Sequence, residues 1–273
     1  MSDSQLMRPG LAAAYEAHGL DMNRASVARM YDYMLGGKDN YAVDREAVAQ
    51  VMVADPDVLS LVRENRAFVV RATRLMAEAG IDQFLDVGSG MPTAENVHQV
   101  AQGVNPDART VYIDNDPIVL VHGQAILADN PLTTVVTADL RDPAAIIDNP
   151  HVGSFIDWSR PVGILSVATL HFVPDEDDPW ATMAALREVS VPGSYLAISH
   201  ATSDTVGETV GKVAEAYQRT AGKGTPRTRE QVLRFFEGYE LLDPGLTLVS
   251  QWRPPLPIPQ PERYWFYAGV GRR

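Results

Sequence analysis

Between Ser26 and Leu35 apolar residues return at helical spacing, with Val27, Met30, Tyr31 and Met34 on one face, and the paired Gly36-Gly37 stops the run. The same pattern predicts helices over residues 44–53 and 59–79, separated by Asp55-Pro56-Asp57. The longer helix carries Leu61, Val62, Phe68, Val69 and Met76 and stops at Gly80. No strand is expected in the first 80 residues, so residues 1–80 read as a helical N-terminal cap and 81–273 as a second unit. After Ile81 the pattern changes. Short apolar runs predict strands near 83–87, 110–114, 134–138, 162–168, 194–200, 246–252 and 263–270. Helical patterns fall near 94–103, 117–128, 143–148, 179–190 and 204–221, with another over 229–237 opened by the capping-box sequence Thr228-Arg229-Glu230-Gln231. Strands that alternate with helices build a mostly parallel α/β sheet covered on both faces. The last two strands are joined only by the stiff, proline-rich run 254–261, which suggests an antiparallel pair.

The first predicted strand runs into Asp86-Val87-Gly88-Ser89-Gly90-Met91-Pro92-Thr93, a tight glycine turn ahead of a helix. Such a turn lets backbone approach a ligand closely. The next two strands end at Asp114-Asn115-Asp116 and at Asp139. In an open α/β sheet these positions share the ligand-binding edge. Three strand ends near carboxylates suit a nucleoside.

Composition narrows the partner. The formal net charge is −12, which opposes binding to phosphate backbones and anionic membranes, so neither nucleic acid nor a membrane is expected. There is no cysteine, which removes disulfides, thiolate metal sites and cysteine nucleophiles. No apolar run is long enough to cross a bilayer and no signal peptide is visible, so a cytoplasmic location is expected. A homo-oligomer is left open.

Two nucleotide readings compete. A dinucleotide fingerprint would place a third glycine where Thr93 stands, and no Arg or Lys lies in the turn to meet a pyrophosphate. The set instead resembles the Rossmann-like S-adenosylmethionine-dependent methyltransferases over residues 81–273, with the terminal strand pair as that class's antiparallel hairpin. The resemblance implies S-adenosyl-L-methionine as cofactor and a seven-stranded sheet. It places Gly88 and Gly90 beneath the methionine part, with Ser89 and Thr93 in the same cofactor-binding turn. It assigns the ribose hydroxyls to Asp114, the adenine face to Asn115, and the adenine amino group to Asp139 beside the Leu140 N–H. Ser166, Val167 and Ala168 end the fourth strand beside the reacting methyl. A narrower match rests on Tyr31-Asp32-Tyr33-Met34-Leu35-Gly36-Gly37-Lys38-Asp39-Asn40-Tyr41 with Asp44, on Asn96-Val97-His98 and on Tyr112-Ile113-Asp114-Asn115-Asp116-Pro117. These resemble an actinobacterial methyltransferase family long catalogued as a domain of unknown function.

Several features carry a plain structural reading beside the functional one. Gly36-Gly37 serves equally as a helix stop or as the bend of a lid, in which Tyr33 through Tyr41 folds over the cofactor and Lys38 meets its carboxylate. Asp175-Glu176-Asp177-Asp178 is read as a solvated loop before a helix, so no metal is expected. His171 and His200 both follow strands at the ligand edge and are the candidates for a general base. The expected function is methyl transfer to a small-molecule acceptor. A cofactor-binding sensor without turnover is the alternative, and a nicotinamide-dependent oxidoreductase is the more distant one.

Overall fold

The protein is described by a computed structural model covering residues 21–93, 95–127 and 130–273. One sheet holds β1 (Gln83–Val87), β2 (Arg109–Asp114), β3 (Thr133–Thr137), β4 (Gly163–Val167), β5 (Tyr195–Ala201), β6 (Glu240–Leu241), β7 (Thr247–Leu248) and β8 (Phe266–Arg272). The spatial order is β3-β2-β1-β4-β5-β8-β6, and β7 also pairs with β8. Strands β1 to β5 are mutually parallel, whereas β8 runs antiparallel to β5, β6 and β7. The chain thus folds as the expected Rossmann-like α/β sheet with antiparallel strands at its C-terminal end.

The helices are α1 (Val27–Met34), α2 (Ala42–Ala54), α3 (Val58–Glu78), α4 (Val97–Val104), α5 (Pro117–Leu127), α6 (Pro143–Ile147), α7 (Pro150–Phe155), α8 (Pro179–Val189), α9 (Gly207–Thr220) and α10 (Arg229–Leu233). Period-two alternation divides the strand residues between the two faces. Phe84, Tyr112, Leu165, Ala197 and Val270 join one buried cluster with residues of α1, α2, α3 and α9. Leu85, Val87, Val111, Ile113, Ile164 and Ile198 join another with residues of α6, α7, α8 and α10. Strands buried on both faces read as continuous apolar runs. Burying each such side chain contributes about 1.5–3 kcal/mol relative to exposure.

Several elements differ from the sequence expectation. Helix α4 begins at Val97 and not near residue 94, because Asn96 caps it in a reciprocal box with Gln99. Ala94 itself lies outside the described residues, as does residue 128 at the expected end of α5. Helix α7 was not foreseen; Pro150 opens it and the Asn149 side chain accepts from the His151 N–H at 2.9 Å. The strand expected over 246–252 shrinks to the two residues of β7, followed by a 3₁₀ turn over Val249–Gln251. Leu246, Val249 and Trp252 are all buried at a spacing of three, the period of that turn. Arg71 of α3 donates to the Val249 and Trp252 carbonyls at 3.2 and 3.0 Å. The short strand β6, also unforeseen, pairs with the outer end of β8.

Phe68 of α3 is fully buried and meets Trp252 edge to face, with ring centroids 5.1 Å apart. This contact fixes α3 to the C-terminal segment. Phe68→Ala is expected to lower the unfolding free energy by about 3–5 kcal/mol in guanidinium titrations, and a loss below about 1 kcal/mol would show that the contact is not part of the core.

Candidate active site

A cavity of about 840 Å³ opens at the carboxyl edge of the sheet, where strand order reverses between β1 and β4. Gly88, Ser89 and Gly90 line it after β1, Asp114 and Asn115 at and after β2, and Asp139 and Leu140 after β3. Val167, Ala168 and His171 line it at and after β4. The strand ends that the sequence singled out therefore meet around one space.

The glycine turn is held from inside the sheet. Gly88 and Ser89 donate their N–H groups to the Ile113 carbonyl at 2.7 and 3.1 Å. Gly88 has φ +75°, and a Cβ there would overlap the Thr169 side chain, whose hydroxyl donates to the Gly88 carbonyl at 3.1 Å. The Gly90 N–H donates to Asp114 Oδ2 at 2.8 Å, and the Asp116 N–H to Asp114 Oδ1 at 2.9 Å. One carboxylate thus bridges the ends of β1 and β2, and each of its oxygens retains a lone pair for a ligand. At the end of β4, Ala168 takes φ +55°, and its N–H donates to the Ser199 carbonyl at 3.1 Å and to Ser199 Oγ at 3.0 Å.

The carboxylates of this wall differ in protonation. Burial pushes Asp86 up to about 7; the positive charge of Arg66 opposes the shift and the negative charge of Asp114 adds to it. Burial likewise pushes Asp114 up to about 6, against the backbone N–H groups of Asp116, Gly90 and Asn115 that favour its charged form. Asp139 is held down at about 2, chiefly by hydrogen bonds from Arg141, whose Nε and Nη2 reach it at 2.9 and 2.6 Å. Its carboxylate is therefore shared with Arg141, an interaction that sequence did not reveal.

Five expected site residues do not line the cavity, His200 among them. Thr93 donates its N–H to Asn96 Oδ1 at 2.9 Å, serving the cap of α4. Ser166 is fully buried within β4. Tyr33 is 38% exposed on the outer side of α1, and Lys38 is likewise absent from the wall. In place of Tyr33, Tyr31 faces the cavity. Its hydroxyl accepts from Asn65 Nδ2 at 2.8 Å and donates to the Val62 carbonyl at 3.3 Å. Asn65 Oδ1 in turn accepts from Ser199 Oγ at 2.5 Å.

The motif from Tyr31 to Asp44 proves to be largely a folding device. Asp32 is buried and accepts from the Asp39 N–H and from Asn40 Nδ2 at 3.0 and 2.9 Å, and a side chain on Gly37 would overlap its carboxylate. Asp44, fully buried, accepts from Arg29 Nε at 2.7 Å and from the Tyr41 and Ser26 N–H groups at 2.8 and 3.0 Å. Ser26 Oγ then donates to Asp116 Oδ2 at 2.6 Å, which ties the start of α1 to the end of β2. Among the described residues, this segment reaches the cavity through positions 21, 24–29 and 31, and none of 33–41 lines it.

The two histidines differ from the expectation of a general base. His200 is fully buried away from the cavity; its Nδ1–H donates to the Ala201 carbonyl at 2.7 Å, and its Nε2 accepts from Arg227 Nη1 at 2.9 Å. Burial first, and the Arg227 charge as well, push His200 down to about 3. His171 does line the cavity, but its Nδ1 accepts from the Ala201 N–H at 3.3 Å, so Nε2 carries the proton. Burial, then His200 and Arg227, hold it well below the ordinary histidine range. Both rings are neutral, and neither presents a basic nitrogen to the cavity.

Arg227, 1% exposed, organises this corner. It donates to Asp175 Oδ1 from Nε and Nη2 at 3.0 and 2.7 Å, to the Leu170 carbonyl at 2.9 Å and to the Val173 carbonyl at 2.7 Å. Its guanidinium lies 5.0 Å from the Trp180 ring centroid. In the acidic run, Asp175 pairs with Arg227 and Asp178 caps α8. No group of three His, Cys, Asp or Glu side chains among the described residues is placed to hold a metal. No helix among them is long and apolar enough to cross a membrane.

The chain matches the S-adenosyl methyltransferase family over residues 13–273 and belongs to it. The cofactor of that family is S-adenosylmethionine. A structure from Thermobifida fusca YX, described as a candidate methyltransferase, shares 43% identity over 93% of this chain and 97% of its own, with a TM-score of 0.89. A DUF574 family protein from Streptomyces avermitilis shares 41% identity over 93% of this chain and 99% of its own, also with a TM-score of 0.89. An O-methyltransferase family protein from Burkholderia thailandensis, 12% identical over 85% of this chain and 59% of its own, has a TM-score of 0.53 and shares the fold. Comparison with curated proteins gave no match.

The raised carboxyls make stability depend on pH. Asp86 titrates at about 7 and Asp114 at about 6 in the fold, against 3.8 for a free aspartate. Between those values the fold keeps protons that the unfolded chain releases, so their contribution is fullest below about pH 4 and is lost as pH rises through 6 and 7. The wild type should therefore lose stability relative to Asp86→Asn between about pH 4 and pH 7, and the difference should level off above that. Parallel urea-midpoint curves for the two proteins would contradict the raised Asp86 pKa.

Proposed function

We propose that this chain transfers a methyl group from S-adenosylmethionine to a small-molecule acceptor held in the same cavity. The observation that carries the reading is Asp114. Its carboxylate bridges the glycine turn and the end of β2 and still offers a lone pair from each oxygen. This pair of acceptors fits a vicinal diol, so Asp114 would accept from both ribose hydroxyls. Asn115 would lie against adenine. Asp139 and the Leu140 N–H would read the adenine edge, with Arg141 sharing the carboxylate. Gly88, Ser89 and Gly90 would pass beneath the methionine part, and Val167 and Ala168 would flank the reacting centre. Ser166 and Thr93 support these residues from within β4 and from the α4 cap.

S-adenosylmethionine supplies an electrophilic methyl group on a sulfonium. The chain's own contribution is position. The segment 24–31 covers the cavity through the Ser26–Asp116 and Arg29–Asp44 contacts, which limits water access. Tyr31 takes the covering role first given to Tyr33. Holding two reactants in line replaces the need for a strong base, because orientation alone supplies several kcal/mol of the barrier.

Calorimetry should show binding of S-adenosylmethionine and S-adenosylhomocysteine but not of NAD. Asp114→Ala should weaken it by about 1.5–3 kcal/mol, the scale for hydrogen bonds to a charged group. Binding of NAD alone would overturn the reading. A second comparison tests the cover: Tyr31→Ala should weaken cofactor binding at least about tenfold, or roughly 1.4 kcal/mol, while Tyr33→Ala leaves it unchanged. The opposite ranking would return the lid to residues 33–41.

A further inference from the structure

The cavity has two chemically distinct halves. Its ionisable strand-end residues, Asp86, Asp114, Asp116, Asp139 and Arg141, lie on one side. The other half is built by β4's exit, α9, the loop 221–226 and the start of β8. Among the described lining residues of these segments there is no Asp, Glu, Lys or Arg. The two titratable rings there, His171 and Tyr217, are both neutral, since burial lowers the pKa of the first and raises that of the second. Aromatic rings dominate instead. Phe172 lies 4.5 Å from His171 and 5.6 Å from Tyr217 between centroids, and Phe266 lies 5.3 Å from His171 and 5.0 Å from Trp265. Val210 and Val213 of α9 add aliphatic surface.

Besides the Tyr217 hydroxyl, this wall has a polar point at His171 and Thr225. His171 carries its proton on Nε2, as its Nδ1 bond to Ala201 requires. Thr225 is tied to the same residue, its N–H donating to the His171 carbonyl at 2.6 Å. Thr225 lines the cavity, and its hydroxyl is buried behind that lining with no hydrogen-bond partner in the protein. A ligand group that reaches it would satisfy an otherwise unpaired polar atom.

We propose that this half binds a neutral, planar aromatic molecule bearing a hydroxyl group, and that this hydroxyl is the methyl acceptor. The proposal rests on the methyltransferase reading above and deepens it. Aromatic walls favour flat ligands by stacked and edge-on contacts. A cationic or anionic acceptor would enter a half with no opposite charge to meet it, and an unpaired charge in an apolar site is strongly disfavoured. A single hydroxyl matches the polar point: its oxygen accepts from His171 Nε2–H or from Thr225, and its proton can be shared with Thr225 Oγ1. On transfer the hydroxyl oxygen gains the methyl carbon, that carbon's bond to sulfur breaks with the pair remaining on sulfur, and the hydroxyl proton leaves to solvent.

The test is calorimetry on the full chain saturated with S-adenosylhomocysteine. The probes are 2-naphthol, its saturated analogue decahydro-2-naphthol, 2-naphthylmethylammonium and 2-naphthoate. We expect 2-naphthol to bind, and the other three to bind at least about tenfold more weakly. Val213→Trp should abolish naphthol binding and leave S-adenosylhomocysteine affinity intact. Thr225→Val should weaken 2-naphthol about three- to tenfold and leave 2-methylnaphthalene unchanged, the scale of one neutral hydrogen bond. Equal or tighter binding of a charged or saturated probe overturns the proposal, as does absence of naphthol binding at about 1 mM. If S-adenosylhomocysteine itself does not bind, the methyltransferase reading fails. The same four probes titrated without it then still decide the character of this half.

Discussion

A full positive charge sits inside this protein at Arg227, and the shape of the cavity depends on it. A buried guanidinium is tolerated only when its donors are met, since an unpaired ion in the interior costs several kcal/mol. Arg227 meets its donors by collecting the Leu170 and Val173 carbonyls, Asp175 and His200 Nε2 around itself. These partners come from the exit of β4, the loop before α8 and β5. The connection between β4 and α8 and the loop that carries Arg227 are thereby drawn to one point on β5. Burial first, with this charge in addition, suppresses protonation of both neighbouring histidines. Arg227 thus holds the corner beside the uncharged half and adds to its electrical neutrality.

Two buried carboxylates do comparable work at the N-terminal side. Asp32 gathers the loop after α1, and Asp44 gathers Ser26, Arg29 and Tyr41. The residues that make the motif recognisable are mostly those that hold its shape. What the motif delivers to the cavity is Tyr31, together with Ser26 and Arg29. A motif can therefore identify a family while its most distinctive letters stay away from the ligand.

The sheet, its helices and the carboxylate positions were legible because period-two and helical patterns act locally and repeatedly. The strand-end acids could be placed because parallel topology forces all those ends to one edge. Tyr31 was also within reach: it shares the apolar face of α1 with Val27, Met30 and Met34, whereas Tyr33 falls on the opposite face. The segment 246–252 misled because an apolar run says nothing about which carbonyls a distant arginine will claim, and Arg71 is remote in sequence. Arg227 carried no local signal at all, since its partners lie 27 to 57 positions away. His200 looked catalytic for the same reason: its position at a strand end was visible, and its commitment to Arg227 was not.

The chain of hydrogen bonds from Ala168 to Tyr31 has a direction. The Ala168 N–H can only donate, so Ser199 Oγ receives there and passes its own hydrogen to Asn65 Oδ1. The amide of Asn65 is thereby oriented with its NH₂ toward Tyr31, whose hydroxyl hydrogen goes on to the Val62 carbonyl. Burial, which raises the Tyr31 pKa, keeps that hydrogen in place. Each link in the series has a fixed direction, and the polarity originates in a single peptide group just after β4. Tyr31 consequently meets the cavity as an acceptor only, and any ligand group that touches its oxygen must bring the hydrogen itself.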